Sequence, residues 1–245
     1  MKTVLITGCN GGLGRVLLKR YALLGYNVVA CAYPANEEFN EYCNAVAKDC
    51  GIEIKVLEFD STDKQDLIRG IEAINSIESS IDCLVNSAGI SIIKPIFNVE
   101  YEDLERLFKI NYFATVMVTK TVVEKMVRQT EGGVIVNVSS MVSLGRQPGG
   151  TCYDASKAAL NQFTKSLAQE LAGFNIRVNA VAPAPMNTEM FKSLTEKTQR
   201  NALKGIALKR PAELKEVADA ILFLSLENSS FITGTILNVD GGAIV

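Results

Sequence analysis

Short β-rich apolar runs alternate with helix-length amphipathic stretches along all 245 residues, and this alternation constrains the fold more than any other feature. Val4–Thr7, Val28–Cys31, Ile54–Phe59, Cys83–Asn86, Val134–Val138, Arg177–Val181 and Thr235–Val239 read as strands. Several are nearly continuous in hydrophobic residues, as in strands buried on both faces of a parallel sheet. Between them the periodicity predicts helices over roughly Leu13–Leu24, Asn36–Lys48, Lys64–Ile77, Glu102–Val127, Ala155–Ala172 and Glu213–Leu226. In the fifth, Leu160, Phe163, Leu167 and Leu171 form an apolar stripe. Regular β–α alternation with short connections implies an α/β, doubly wound sheet with helices on both faces. No linker, charge block, repeat or low-complexity tract interrupts it, so a single domain over residues 1–245 is expected.

Composition removes several classes of function. A net charge of −2, with lysine and arginine spread along the chain, gives no basic footprint for nucleic acid or an anionic membrane. The apolar run at the N-terminus is too short for a signal peptide or a membrane span. Six cysteines occur without a C-x-x-C, and there is no histidine, so a mixed Cys/His zinc site is impossible and no metal is expected. Reduced thiols in a cytoplasmic protein are the expectation, most of them small buried apolar residues.

The first strand runs into Thr7-Gly8-Cys9-Asn10-Gly11-Gly12-Leu13-Gly14, which opens the first helix. Glycines there permit a tight turn and let backbone approach a pyrophosphate at a helix N-terminus. The spacing of Gly8, Gly12 and Gly14 is G-x-x-x-G-x-G, and no Lys-Ser/Thr follows as a Walker A loop requires. Two further sites lie at strand ends. Asp60, after the third strand, either accepts from an adenine amino group or caps the helix that follows Ser61-Thr-Asp63. Asn86-Ser-Ala-Gly89 ends the fourth strand, at the carboxyl edge where open α/β sheets bind ligands.

Tyr153 and Lys157 stand one helical turn apart, a phenol and an ammonium on the same helix face. A nearby ammonium favours the phenolate and lowers the phenol's pKa from about 10. With histidine absent, a tuned tyrosine is the natural acid–base group. Such a pair alone is usually a solvated surface pair, and Ser139-Ser140 at a strand end is usually a turn or cap.

Taken in order, Thr7-Gly8-x-x-x-Gly12-x-Gly14, Asn86-Ser-Ala-Gly89, Asn111, Ser140, Tyr153-x-x-x-Lys157, Asn179-Ala-Val-Ala-Pro183, Thr188 and Val239-Asp-Gly-Gly242 resemble the single-domain short-chain dehydrogenase/reductases, most closely their 3-oxoacyl-carrier-protein reductase branch. The resemblance spans Thr3 to Gly242. It implies a Rossmann-type, seven-stranded parallel sheet and an NAD(P)(H)-dependent oxidoreductase acting on a ketone or secondary alcohol. It further implies a tetrad in which Tyr153 is the general acid or base and Ser140 holds the carbonyl oxygen. Lys157 would lower the phenol's pKa and bind the nicotinamide ribose, and Asn111 would anchor a proton-relaying water. Around the nucleotide it sets Thr7, Gly8, Asn10, Gly12, Leu13 and Gly14, then Asp60 and Ser61, then Asn86, Ala88 and Gly89. Tyr153, Lys157, Pro183, Met186 and Thr188 would adjoin the nicotinamide. A homotetramer, or homodimer, built on the helices around 102–127 and 155–172 is also implied.

This chain departs from the family pattern in places. Ser87 replaces the second asparagine of Asn-Asn-Ala-Gly, and Pro183-Ala184-Pro185 replaces the usual Pro-Gly, removing a backbone donor at residue 185. Residues 187–205 are expected to form a mobile lid over the substrate. Positions 31–34 hold no carboxylate to accept from a ribose 2′-hydroxyl and no basic residue either, which leans the cofactor toward NADP(H) over NAD(H). The expected pocket wall, Ser91–Pro95, Met141–Gln147, Cys152 and 186–205, carries little fixed charge, with Arg146 available to an anionic group. Readings left open are a 3-oxoacyl-thioester reductase, a sugar, polyol or steroid-type alcohol dehydrogenase, and a non-catalytic NAD(P)-binding sensor or scaffold. The extended branch of epimerases and dehydratases needs a second domain that this length scarcely allows.

Overall fold

The computed structural model describes residues 1–145 and 147–243, with residue 190 given by its backbone alone. Strands β1 (Thr3–Thr7), β2 (Asn27–Ala32), β3 (Ile54–Glu58), β4 (Cys83–Asn86), β5 (Gly133–Val138), β6 (Ile176–Pro183) and β7 (Ile236–Val239) form one sheet in the order β3-β2-β1-β4-β5-β6-β7. Every pairing is parallel. The order reverses at β1, which pairs with both β2 and β4, so a crevice opens at their carboxyl ends.

Alternation along β1 divides the core. Val4 and Ile6 face one helical layer and Leu5 the other, and all three are fully buried. The first layer holds α1 (Gly12–Leu23), α2 (Glu37–Cys50) and α9 (Leu214–Ser225), through Leu17, Tyr21, Phe39 and Ile221. The second holds α3 (Lys64–Asn75), α5 (Thr115–Met126) and α6 (Thr151–Leu171), through Ile74, Val122, Met126 and Leu171. Side chains such as these contribute about 1.5–3 kcal/mol each by leaving water. The three remaining helices are short: α4 (Tyr101–Phe108), α7 (Glu189–Lys192) and α8 (Glu196–Leu203).

Three element boundaries that bear on the site differ from the sequence expectation. The segment 102–127 is not one helix: a π turn, Lys109–Ala114, separates α4 from α5 and carries Asn111. Helix α6 begins at Thr151 rather than Ala155, so Tyr153 already lies in its first turn. The sixth strand also continues to Pro183.

A buried polar chain ties the strand ends together. Asn86 Nδ2 donates to Thr119 Oγ1 at 2.9 Å and to Asn137 Oδ1 at 2.8 Å. Asn137 Nδ2 in turn donates to Thr164 Oγ1 at 2.9 Å. The chain runs from α5 through β4 and β5 to α6, fixing the depth at which α6 lies on the sheet.

Candidate active site

Helix caps distinguish α1 from its neighbours. Asn36 and Asp63 cap α2 and α3, accepting from Phe39 N and Asp66 N, and α2 carries Glu37 and Glu38 in its first turn. At α1 the cap is Gly11, which offers no side chain, and its first turn holds no acid. Its leading N–H groups are therefore open to an anion, and no carboxylate competes.

Steric closeness shapes the turn that leads there. Gly8 has φ +69°, and a Cβ on it would lie 2.8 Å from Ala88 Cα. A Cβ on Gly14 would lie 2.2 Å from Gly8 O and 2.7 Å from Cys9 Cα. No side chain fits either position. Thr7 Oγ1 accepts from Ser87 N and Ala88 N, both at 3.1 Å, strapping the turn to the end of β4. Asn10 Nδ2 donates to Tyr33 O at 3.1 Å and Pro34 O at 2.9 Å, which joins the turn to the end of β2.

Between these struts runs a cleft of about 340 Å³, within the usual range for small-molecule sites. Of the residues expected at the nucleotide, Thr7, Gly8, Asn10, Gly12, Leu13 and Gly14 line it. So do Asp60, Ser61, Ala88, Gly89, Met186 and Thr188. The uncapped helix, the bare glycine floor and the near absence of acids fit a dinucleotide's phosphates.

Several expected residues stand elsewhere or act differently. Asn86 is buried in the polar chain, and Pro183 is buried at the end of β6. Asp60 does not cap α3, a role taken by Asp63; its Oδ1 accepts from Thr62 N and Oγ1, both at 2.7 Å. Thr188 Oγ1 caps α7, accepting from Phe191 N at 3.2 Å. Ile90 and Ile110 line the cleft without any signal in the sequence, because an isolated isoleucine is ordinarily core. Arg15 was equally hidden. From α1 it donates to Asn10 O at 3.2 Å, pairs with Glu38 at 2.8 Å and packs over Phe39 and Tyr42.

Beyond Gly89 the four tetrad residues gather. Asn111 is fully buried: its Oδ1 accepts from Ile90 N at 2.9 Å, and its Nδ2 donates to Ile90 O and Ser156 Oγ, both at 3.0 Å. Its donors are spent, while Oδ1 keeps one lone pair. A Cβ on Gly89 would lie 3.0 Å from Lys157 Nζ and 3.3 Å from Asn111 Oδ1, so both converge above this glycine. Lys157 is 4% exposed, donates to Val138 O at 2.9 Å, and has its pKa lowered to about 8 by burial.

The phenol of Tyr153 behaves differently from the expectation that Lys157 would lower its pKa. Burial raises it above its ordinary value; the nearby Ser140 hydroxyl lowers it, and the charge of Asp154 raises it further. Desolvation of the phenolate outweighs the stabilising contact, and one of the ammonium's three donors goes to Val138 O.

The segment 187–205 holds α7 and α8, capped by Thr188 and Thr195. Its base is stitched down by Asn187, whose Nδ2 donates to Glu213 and whose N donates to Ala212 O at 2.8 Å. Ala212 N donates to Pro185 O at 2.9 Å, so residue 185 acts as an acceptor. Arg146 lies outside the described residues. Among the described residues no group of His, Cys, Asp or Glu is placed to hold a metal, and the six cysteines are free. No helix among them is long and apolar enough to cross a membrane.

Residues 2–199 match the model of the short chain dehydrogenase family. The chain belongs to that family. It is an NAD(P)-dependent oxidoreductase of the short-chain type. Among similar proteins, 3-oxoacyl-acyl-carrier-protein reductase of Thermotoga maritima is 37% identical over 247 residues, covering 100% of this chain and 98% of the relative. Cyclopentanol dehydrogenase of Comamonas testosteroni is also 37% identical, over 98% of this chain and 96% of the relative. Among solved structures, ElxO with NADP bound superposes with a TM-score of 0.88 at 28% identity, covering 98% of each chain.

Proposed function

We propose that this short-chain dehydrogenase reduces a ketone, or oxidises the matching secondary alcohol, with Tyr153 as the proton donor or acceptor. The observation that carries this reading is the convergence of Lys157, buried in α6, and Asn111 above Gly89, with Tyr153 one turn before Lys157 and the Ser140 hydroxyl near enough to its phenol to favour the phenolate.

When bound, the nicotinamide supplies the hydride in reduction and receives it in oxidation. The chain's own residues handle the proton. Tyr153, its pKa raised by burial, keeps its proton at neutral pH and releases it as negative charge develops on the substrate oxygen. Ser140 gives that oxygen a second donor. Lys157, with a pKa of about 8, exchanges a proton near working pH, which suits a relay. The free lone pair of Asn111 Oδ1, above Gly89, suits a relay water between the two.

We further infer a 3-oxoacyl thioester as substrate, as the name of the Thermotoga relative suggests. The Comamonas relative favours a second reading, an alicyclic or steroid-type alcohol dehydrogenase. NADP(H) is the proposed cofactor: positions 31–34 lack a carboxylate, Arg15 is drawn to the turn at Asn10, and ElxO binds NADP. A homotetramer is proposed from the exposed apolar side chains of Phe97, Tyr101 and Phe113 around α4 and the π turn. The cytoplasm is the proposed location, one domain the proposed organisation, and 187–205 the proposed lid.

The test mixes protein and NADPH or NADH with a panel of keto substrates, including a 3-oxoacyl thioester, and follows nicotinamide absorbance. Tyr153→Phe should bind cofactor normally and turn over about 10²–10⁴-fold more slowly. Equal turnover by Tyr153→Phe would remove Tyr153 from the mechanism. Cofactor binding without turnover on any substrate would favour a sensor.

A further inference from the structure

We propose that Ser143 and Asn161 are positioning residues for the proton-transfer step, clamping the backbone of Ser140 to α6 and so fixing how its hydroxyl meets Tyr153. The proposal rests on the reading of Tyr153 as the acid.

Ser140 leaves β5 in extended backbone, φ −161° and ψ 151°, and the chain then turns through Met141–Leu144. A short loop of this kind has no sheet pairing to hold it. The backbone N–H of Ser143 donates to Ser140 O at 3.1 Å, and the Ser143 hydroxyl adds a second, shorter bond to the same carbonyl at 2.5 Å. That hydroxyl accepts from Asn161 Nδ2 at 2.7 Å and from Ser139 Oγ at 3.1 Å. A hydroxyl has one donor and two acceptor sites, so all three are used. Ser139 Oγ also approaches Lys157 O at 3.4 Å, which keeps this loop against α6.

Asn161 lies one turn beyond Lys157 and two beyond Tyr153, on the same helix face. It is 5% exposed. Its amide orientation follows from the contacts: the single proton of Ser143 is spent on Ser140 O, so only Nδ2 can face Ser143. Its Oδ1 is buried with no hydrogen-bond partner among the described residues. A plain packing role would be better filled by a leucine, because a half-satisfied buried amide is unfavourable. What the amide secures is direction: by donating to Ser143 Oγ it fixes the hydroxyl that in turn holds the carbonyl of Ser140, the residue whose own hydroxyl lies near the phenol.

Burial is what most disfavours ionisation of that phenol; among its neighbours Ser140 favours ionisation, Asp154 disfavours it, and Lys157 donates to Val138 O. Ionisation of Tyr153 therefore reports where Ser140 sits.

The experiment uses the full chain labelled at tyrosine Cζ with ¹³C, with Tyr153 assigned by loss of its signal in Tyr153→Phe. Phenolate fraction is compared at pH 10, with circular dichroism to confirm folding. Ser143→Ala and Asn161→Asp should each lower the Tyr153 phenolate fraction about threefold, half a pKa unit, with cofactor affinity unchanged. Ser143→Thr, which keeps the hydroxyl, should match wild type. Should Ser143→Ala not fold, Ser143→Cys, a weak donor of similar size, should move the fraction the same way. Folded variants with an unchanged phenolate fraction would overturn the clamp. Full turnover by Tyr153→Phe would instead overturn the acid assignment, while a shifted phenolate fraction would still stand.

Discussion

The glycine turn at residues 8–14 and the serine loop at 139–143 occupy equivalent places, each at the carboxyl end of a central strand, yet different constraints fix their shapes. The turn is strapped to its neighbours through Thr7 and Asn10, but its floor is shaped by lack of room: a methyl on Gly14 would sit 2.2 Å from a carbonyl oxygen. The loop is held by hydrogen bonds among Ser139, Ser140, Ser143 and Asn161. Steric exclusion gives a surface of fixed shape, suited to a cofactor common to many reactions. A hydrogen-bonded loop gives adjustable direction, suited to a hydroxyl that must meet a particular oxygen. Breaking the first should destroy binding; perturbing the second should retune chemistry.

Gly14→Ala attacks the steric side and should have the largest effect. Overpacking against Gly8 O and Cys9 should destabilise the fold by about 3 kcal/mol, lowering the melting temperature by roughly 6–12 °C. NADPH affinity by fluorescence titration should fall at least about a hundredfold; an unperturbed variant would show that the turn has slack. Gly89→Ala tests the join of the two regions, where a bare glycine leaves room for Lys157 and Asn111. The methyl would press on a flexible lysine tip at 3.0 Å, so turnover should drop about tenfold while the melting temperature changes little. A turnover loss no larger than the affinity loss would assign Gly89 to the cofactor side alone.

Lys157→Met gives the smallest signal and sharpens the polar side. Lys157 has a folded pKa of about 8 against about 10.4 unfolded, so the native state binds fewer protons between those values. Burying the charged form costs stability below pH 8, and that cost is relieved as pH rises. Wild type should therefore gain on Lys157→Met by roughly 1 kcal/mol or more from pH 8 to 10, measured by urea denaturation at each pH. A gap that moves the other way would mean the ammonium is stabilised where it lies.

The same contrast explains what was legible in the sequence. The strands were, because Val, Leu and Ile runs buried on both faces leave a continuous apolar signature. The glycine turn was, because only glycine fits Gly8 and Gly14. The π turn around Asn111 was not: Lys109–Ala114 has the composition of any amphipathic helix, and the extra residue leaves no mark in periodicity over so short a stretch. Nor was the start of α6 at Thr151, since Gly149-Gly150 suggests a loop that runs further. The direction of Lys157 toward Val138 O depends on a neighbour distant in sequence, and the raised pKa of Tyr153 depends on burial that only the fold supplies. Serine and asparagine are the least readable of all, because a hydroxyl at 143 or an amide at 161 says nothing of its partner until the fold supplies one.

The wide turn at Lys109–Ala114 works as a vernier between α4 and α5. A helix advances about 100° per residue, and a π turn takes up one residue more than an α turn. That offset lets α4 pack on α6 while α5 packs on α3 and β4. Deleting one residue here would not simply shorten the chain. It would swing everything on one side of the cut through about a quarter revolution, carrying Val118, Val122 and Met126 away from the sheet or Leu107 out of its buried position on α4. Chain length at this point is as constrained as residue type at the glycine turn.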